Sequence, residues 1–200
     1  MKKVLIATNN SGKVKEFKKI LSRLSIELIS LGEVVSGFEI EETGKTFKEN
    51  AILKAGECSC KTGFLTIADD SGLEIDALGG KPGVYSARFF GDVSQEEKNQ
   101  KILEMMKDIP KEKRTARFVC VIAIVTPKGE IKTTEGIMEG KIAFEVRGVN
   151  NFGYDPIFIP EGFTKTNAEL TIEEKNKISH RGKALEKAIK ILEEIINAGY

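Results

Sequence analysis

The sequence has no tryptophan, one histidine and three cysteines. A single histidine, His180, excludes a His-rich zinc site, and any Ser-His-Asp triad would have to run through it. An odd number of cysteines (Cys58, Cys60 and Cys120) argues against a disulfide framework. Cys58-x-Cys60 also lacks zinc-ligand spacing, so all three read as small buried hydrophobes. Any metal is then expected to be a hard cation held by carboxylates. The chain is equally short of net charge: Lys and Arg number 31, Asp and Glu 30, and the formal charge is +1. That balance excludes nucleic-acid binding by bulk positive charge. With 40% hydrophobic residues, it also excludes a disordered chain. No apolar run approaches the roughly 18–20 residues of a membrane-spanning helix. The apolar start, Val4–Ala7, is too short for a signal peptide. The expectation is a soluble cytoplasmic protein that meets neither membrane nor nucleic acid. A chain of 200 residues supports its own core, burying roughly 70% of its unfolded surface.

Strand-like and helix-like segments interleave, without repeats or low-complexity linkers. Val4–Ala7 reads as a buried strand. Val14, Phe17, Ile20, Leu21 and Leu24 recur at helical spacing. Ile26–Leu31 reads as a second strand. Thr46-Phe47-Lys48-Glu49 is a capping box opening a helix to about Lys61. Phe64–Ala68 is a third strand, expected to end at Asp69-Asp70-Ser71-Gly72. Ser94 and Glu97 form a second capping box, with the helix stopping before Pro110. Arg117–Val125, Ile131–Met138 and Ile142–Val146 read as an antiparallel meander around a Pro127–Glu130 turn. Thr171 and Glu174 form a third capping box, and a last helix carries Leu185, Ala188, Ile189, Leu192, Ile195 and Ile196. The class is α/β: an elongated mixed β-sheet flanked by helices, as one domain over residues 1–200 with two lobes and a central cleft.

Five segments could carry chemistry. Thr8-Asn9-Asn10-Ser11-Gly12-Lys13 joins a strand to a helix, where backbone N–H groups and a lysine can meet phosphate. An ordinary helix start capped by Asn or Ser explains it as well. Asp69 and Asp70 are adjacent on a strand and so point to opposite faces, which argues against a shared role. One of them with one of Glu41 and Glu42 would satisfy Mg²⁺, which takes only one or two protein carboxylates. The loop from Gly79 to Arg88 is rigid and irregular. Phe152-Gly153-Tyr154-Asp155-Pro156, preceded by Asn151, could present a ring to a nucleobase or simply pack in the core. Lys175 through Lys183, with His180 and Arg181, lies at the mouth of the last helix. Cations there, like Lys13 and Lys15 at the first helix, oppose the helix dipole. Two basic helix starts point to anionic or carbonyl-rich ligand atoms that offset the repulsion.

Taken in order, these segments resemble the inosine triphosphate pyrophosphatase family, and are very similar to its bacterial branch acting on dITP and XTP. The matching stretches are Ala7–Lys13, Glu41–Gly44, Asn50–Ala55, Ala68–Leu73, Gly79–Arg88, Phe152–Pro156 and Ser179–Gly182. The resemblance implies a homodimeric, Mg²⁺-dependent enzyme that cleaves a nucleoside triphosphate to monophosphate and pyrophosphate. It implies that Thr8, Asn9, Asn10, Ser11, Gly12, Lys13, Lys54 and Ser71 bind the triphosphate. It implies Mg²⁺ on Asp70 and Glu41, with Glu42 left open as the alternative, and Asp70 acting on the attacking water. Phe152 would stack on the base, with Gly153, Tyr154 and Asp155 shaping its pocket. Lys175, His180 and Arg181 would contact the base edge.

The chemistry of selection is simple. Hypoxanthine and xanthine carry a carbonyl at the 6-position, where adenine carries an amine. A donor such as Arg181 pairs with the first and clashes with the second. A non-catalytic nucleotide- or RNA-binding module is the competing reading. It is disfavoured by the acidic pairs, because unneutralised carboxylates repel phosphates.

Overall fold

The computed structural model describes residues 2–34, 40–149 and 152–199. Asn151, named above before Phe152, lies outside them. The chain is a mixed α/β fold with a six-stranded sheet of order β2-β1-β3-β4-β5-β6. The strands are β1 (Lys2–Ile6), β2 (Ile26–Ser30), β3 (Leu65–Ile75), β4 (Thr115–Val125), β5 (Ile131–Ile142) and β6 (Phe158–Pro160). The helices are α1 (Ser11–Leu21), α2 (Leu31–Val34), α3 (Phe47–Thr62), α4 (Gln95–Met105), α5 (Ile172–Ile178) and α6 (His180–Asn197). β1 pairs in parallel with β2, from Lys2 opposite Ile26, and with β3, from Val4 opposite Leu65. β5 and β6 pair antiparallel, Gly140 opposite Pro160. Among the described residues, no helix is long and apolar enough to cross a membrane.

The chain divides into two compact units. Unit one takes residues 1–70, 120–136 and 181–200; unit two takes 71–119 and 137–180. In unit one, Val4 and Ile6, Leu65 and Ile67, and Cys120, Ile122 and Ile124 alternate along their strands and turn one face inward. Phe17 and Leu21 of α1 and Leu185, Ala188, Ile189 and Leu192 of α6 join them at helical spacing. In unit two, Leu73, Ile75, Phe118, Met138 and Ile142 form a core with Ile102, Tyr154 and Ile157. The Phe118 and Phe158 rings lie 4.7 Å apart within it.

All three capping boxes form, at Thr46, Ser94 and Thr171. Three expectations change. β3 does not end at the aspartates but runs on to Ile75. Leu73 and Ile75 continue the apolar alternation, and the Leu73 N–H finds an acceptor in Ser86 Oγ at 2.9 Å. Ile142–Val146 is not a separate strand, because β5 is one strand to Ile142. Buried Arg114 takes the carbonyls of Ile142 (2.9 Å) and Ala143 (2.7 Å), which removes them from any further ladder. Finally, Cys58 and Cys120 are buried as expected, but Cys60 is exposed; all three are free thiols.

Candidate functional site

In unit one the charged side chains converge around β3. Asp69 and Asp70 face opposite ways, as strand alternation requires. Asp69 is fully buried and pairs with Lys13 Nζ at 2.9 Å and Arg181 Nε at 3.2 Å. Arg181 Nη1 also meets Glu16 at 2.6 Å. Burial alone would push the Asp69 carboxyl up. Lys13 and Arg181 outweigh it and hold the carboxyl far below the ordinary range. Burial likewise opposes the Arg181 charge, and Asp69 and Glu16 restore it and raise its pKa. Lys13 begins α1, whose N-cap is Asn10, with its Oδ1 accepting from the Lys13 N–H at 3.1 Å. Arg181 begins α6. Asp69 thus stands between the lysine of one basic helix start and the arginine of the other.

Asp70 has different company. Its Oδ2 accepts from Asn50 Nδ2 at 3.0 Å, and its Oδ1 lies 3.4 Å from Lys54 Nζ. Lys54 also donates to Glu42 Oε1 at 2.5 Å. Asn50 and Lys54 are four residues apart and share a face of α3. The Asn50 amide reaches back to the acidic loop, where its Oδ1 accepts from the Gly44 N–H at 2.8 Å. A Cβ on residue 44 would lie 2.5 Å from that oxygen, so only glycine fits. Burial first, then Glu42, raises the Asp70 carboxyl above its ordinary value; Lys54 pulls the other way. Burial disfavours the Lys54 charge, but Asp70, Asp69 and Glu42 together raise its pKa.

Among the described residues, no group of three or more His, Cys, Asp or Glu side chains could hold a metal. Mg²⁺ needs only one or two protein carboxylates. Glu42 and Asp70 supply such a pair, already bridged by a cation, the Lys54 ammonium. That donor chemistry fits a hard divalent ion. Glu42 is half-buried beside Lys54, whereas Glu41 is exposed. Of the remaining loop residues, Thr8, Gly12 and Ser71 are half-buried and Asn9, Asn10 and Ser11 exposed.

Unit two holds a second constellation. Asp155 is 2% exposed. Its Oδ2 accepts from Lys175 Nζ at 2.5 Å, and its Oδ1 accepts from Asn167 Nδ2 at 3.1 Å. Lys175 Nζ lies 5.1 Å from the centre of the half-buried Phe152 ring, within cation–π range. Tyr154 is core, with its hydroxyl donating to Ser86 O at 2.9 Å, and burial pushes that phenol up to about 12. Asn99 of α4 donates to Gly153 O at 3.3 Å and steadies the same loop. His180 stacks on Phe118, with ring centres 4.9 Å apart and planes 11° from parallel.

The structure thus gathers Lys13, Lys54 and Asp70 in unit one, and Phe152, Tyr154, Asp155, Lys175 and His180 in unit two. Arg181, expected to contact the base edge, has its guanidinium on Asp69 and Glu16 in unit one. Asn50, Asn99, Asn167 and Glu16 join these clusters without a motif of their own in the sequence. The four-residue spacing of Asn50 and Lys54 was a signal for the first; the others are brought in by tertiary folding alone.

Comparison with known proteins identifies the family. Residues 4–191 match the family described as the Ham1 family. The chain is 55% identical over 194 residues to the dITP/XTP pyrophosphatase of Bacillus subtilis (strain 168), covering 96% of this chain and 98% of that one. It is 50% identical to the dITP/XTP pyrophosphatase of Desulforamulus reducens, covering 96% of each chain. The HAM1 protein structure from Coxiella burnetii superimposes with a TM-score of 0.89 at 44% identity, covering 97% of this chain and all of that one.

Proposed function

The chain belongs to the Ham1 family, and on that premise we propose that it hydrolyses inosine- and xanthine-based triphosphates (ITP, dITP and XTP) to monophosphate and pyrophosphate. The observation that carries the chemistry is Asp70: a nearly buried carboxylate, held at both oxygens and set beside Glu42 and Lys54. A raised carboxyl is a better proton acceptor than an ordinary one. Asp70 takes the proton of a water that attacks the α-phosphorus, and pyrophosphate leaves. Lys13 and Lys54 neutralise phosphate charge. Thr8–Lys13 and Ser71 supply further phosphate contacts. Asp70 and Glu42 would hold Mg²⁺, which would supply charge neutralisation and orientation of the phosphates. Glu42 supersedes Glu41 in this reading because Glu42 already shares Lys54 with Asp70.

For the base, the candidates are Phe152 and Lys175. Phe152 offers a ring to stack on, and Lys175 offers a donor beside it. An ammonium donor pairs with the 6-carbonyl of hypoxanthine or xanthine and meets another donor in adenine. His180 belongs with this group by its place on Phe118. A homodimer in the cytoplasm completes the reading, on the strength of the family resemblance; sedimentation of the purified protein tests the dimer. The activity is tested by Asp70→Asn. That variant is expected to bind ITP and lose turnover; near-wild-type pyrophosphate release would remove Asp70 from the role.

A further inference from the structure

Asn167 has no part in the reading so far, yet its side chain is fully buried, at 0% exposure. It opens a short helical turn, Asn167–Glu169, that is pinned in three ways. Thr166 and Glu169 close a capping box over it. Thr166 Oγ1 donates to Arg147 O at 2.9 Å. Gly148, at φ +93°, packs its backbone so close to Ala168 that a Cβ there would lie 2.5 Å from the Ala168 carbonyl carbon. The Asn167 amide is therefore delivered from a fixed backbone.

It is delivered to Asp155. Nδ2 donates to Asp155 Oδ1 at 3.1 Å, while Oδ2 accepts from Lys175 at 2.5 Å. A carboxylate gripped at only one oxygen can swing about its last torsion; gripped at both, it cannot. The ammonium bonded to it is then fixed too, 5.1 Å from the Phe152 ring centre. Lysine has three rotatable donors on a flexible stem and little intrinsic direction. Selectivity between a carbonyl and an amine needs direction.

We propose that Asn167 is a positioning residue for substrate choice. Through Asp155 it aims the Lys175 ammonium at the 6-carbonyl of a purine stacked on Phe152. The inference rests on the activity proposed above and adds to it the residue that sets oxo-purine preference.

The test compares ITP with purine riboside triphosphate, which carries only hydrogen at the 6-position. Asn167→Leu keeps the approximate volume and removes the donor. It is expected to lower kcat/KM for ITP relative to purine riboside triphosphate by about tenfold, the effect of losing one hydrogen bond to a charged group. The loss should fall on KM more than on kcat. In a Lys175→Met background, Asn167→Leu should lower that ratio no further. If Asn167→Leu does not fold, Asn167→Ser, too short to reach Asp155, gives the same comparison. A folded variant with the wild-type ratio, equal losses on both substrates, or a further loss without Lys175 overturns the assignment. A wild type that leaves ITP intact is a separate result: it removes the proposed activity first and this inference with it.

Discussion

Each unit holds an aspartate gripped by one asparagine and one lysine. In unit one it is Asp70 between Asn50 and Lys54; in unit two it is Asp155 between Asn167 and Lys175. The difference lies in what stands next to them. Asp70 has Glu42 beside it, and its lysine is shared between two carboxylates at 2.5 and 3.4 Å. Asp155 has its lysine at 2.5 Å, and that lysine stands 5.1 Å from the Phe152 ring centre. The first arrangement carries more negative charge than Lys54 alone can balance, which favours a divalent cation and raises the Asp70 carboxyl. The second pairs a carboxylate with an ammonium that also meets an aromatic ring, a donor set that would suit recognition. On the proposed function, the same three residue types would serve chemistry in one unit and selection in the other, according to one neighbouring side chain.

Exchanging the two aspartates for asparagine breaks the comparison most sharply. Asp70→Asn is expected to lower kcat by about 10²–10⁴, the usual worth of a general base, while ITP still binds. Asp155→Asn is expected to act mainly on KM and to narrow the preference for ITP over ATP. Steady-state pyrophosphate release checks both, and a large kcat loss in Asp155→Asn with base preference intact would erase the distinction.

The lysines differ next. Lys175→Met leaves buried Asp155 without its cation and should destabilise the fold by roughly 3–5 kcal/mol in urea titration. Lys54→Met should cost less, because Asp70 can protonate more readily. Equal costs would mean that the two aspartates sit in equivalent surroundings.

Two glycines guard the two asparagines. Gly44→Ala drives a methyl group into Asn50 Oδ1, and Gly148→Ala drives one into Ala168 and strains a positive φ. Each should cost on the order of 1–3 kcal/mol in unfolding experiments. Gly44→Ala should also reduce turnover, and Gly148→Ala should instead relax the choice of base. Activity loss of one kind in both would blur the division.

The smallest expected effect is on thermal stability. Mg²⁺ should raise the Tm of the wild type by a few degrees, as any ligand of the native state does. Glu42→Gln should abolish the rise and Glu41→Gln should keep it. The reverse pattern would return the second ligand to Glu41.

Much of this was legible beforehand. The capping boxes at Thr46, Ser94 and Thr171 announced three helices, because a reciprocal cap is a local pattern. The opposite facing of Asp69 and Asp70 followed from strand geometry. The mixed sheet followed from interleaved segments. What was not legible is tertiary. Asp69-Asp70-Ser71-Gly72 looks like a turn, and only the core contacts of Leu73 and Ile75 show that the strand continues. The bonds of the Arg181 guanidinium to Asp69 and Glu16 join residues far apart in sequence, and no local pattern marks them. Asn167 sits in an unremarkable polar stretch, and nothing nearby in sequence marks its bond to Asp155.

The central claim is that a carboxylate-held divalent ion and a fixed lysine donor together select and split oxo-purine triphosphates. The most direct measurement is pyrophosphate release by the purified protein from XTP, ITP, dITP, GTP and ATP, with Mg²⁺ and with it chelated. The expected result is rapid release from XTP, ITP and dITP, slow release from ATP, and none without the metal. Equal rates on ATP and ITP, or full activity under chelation, would contradict it.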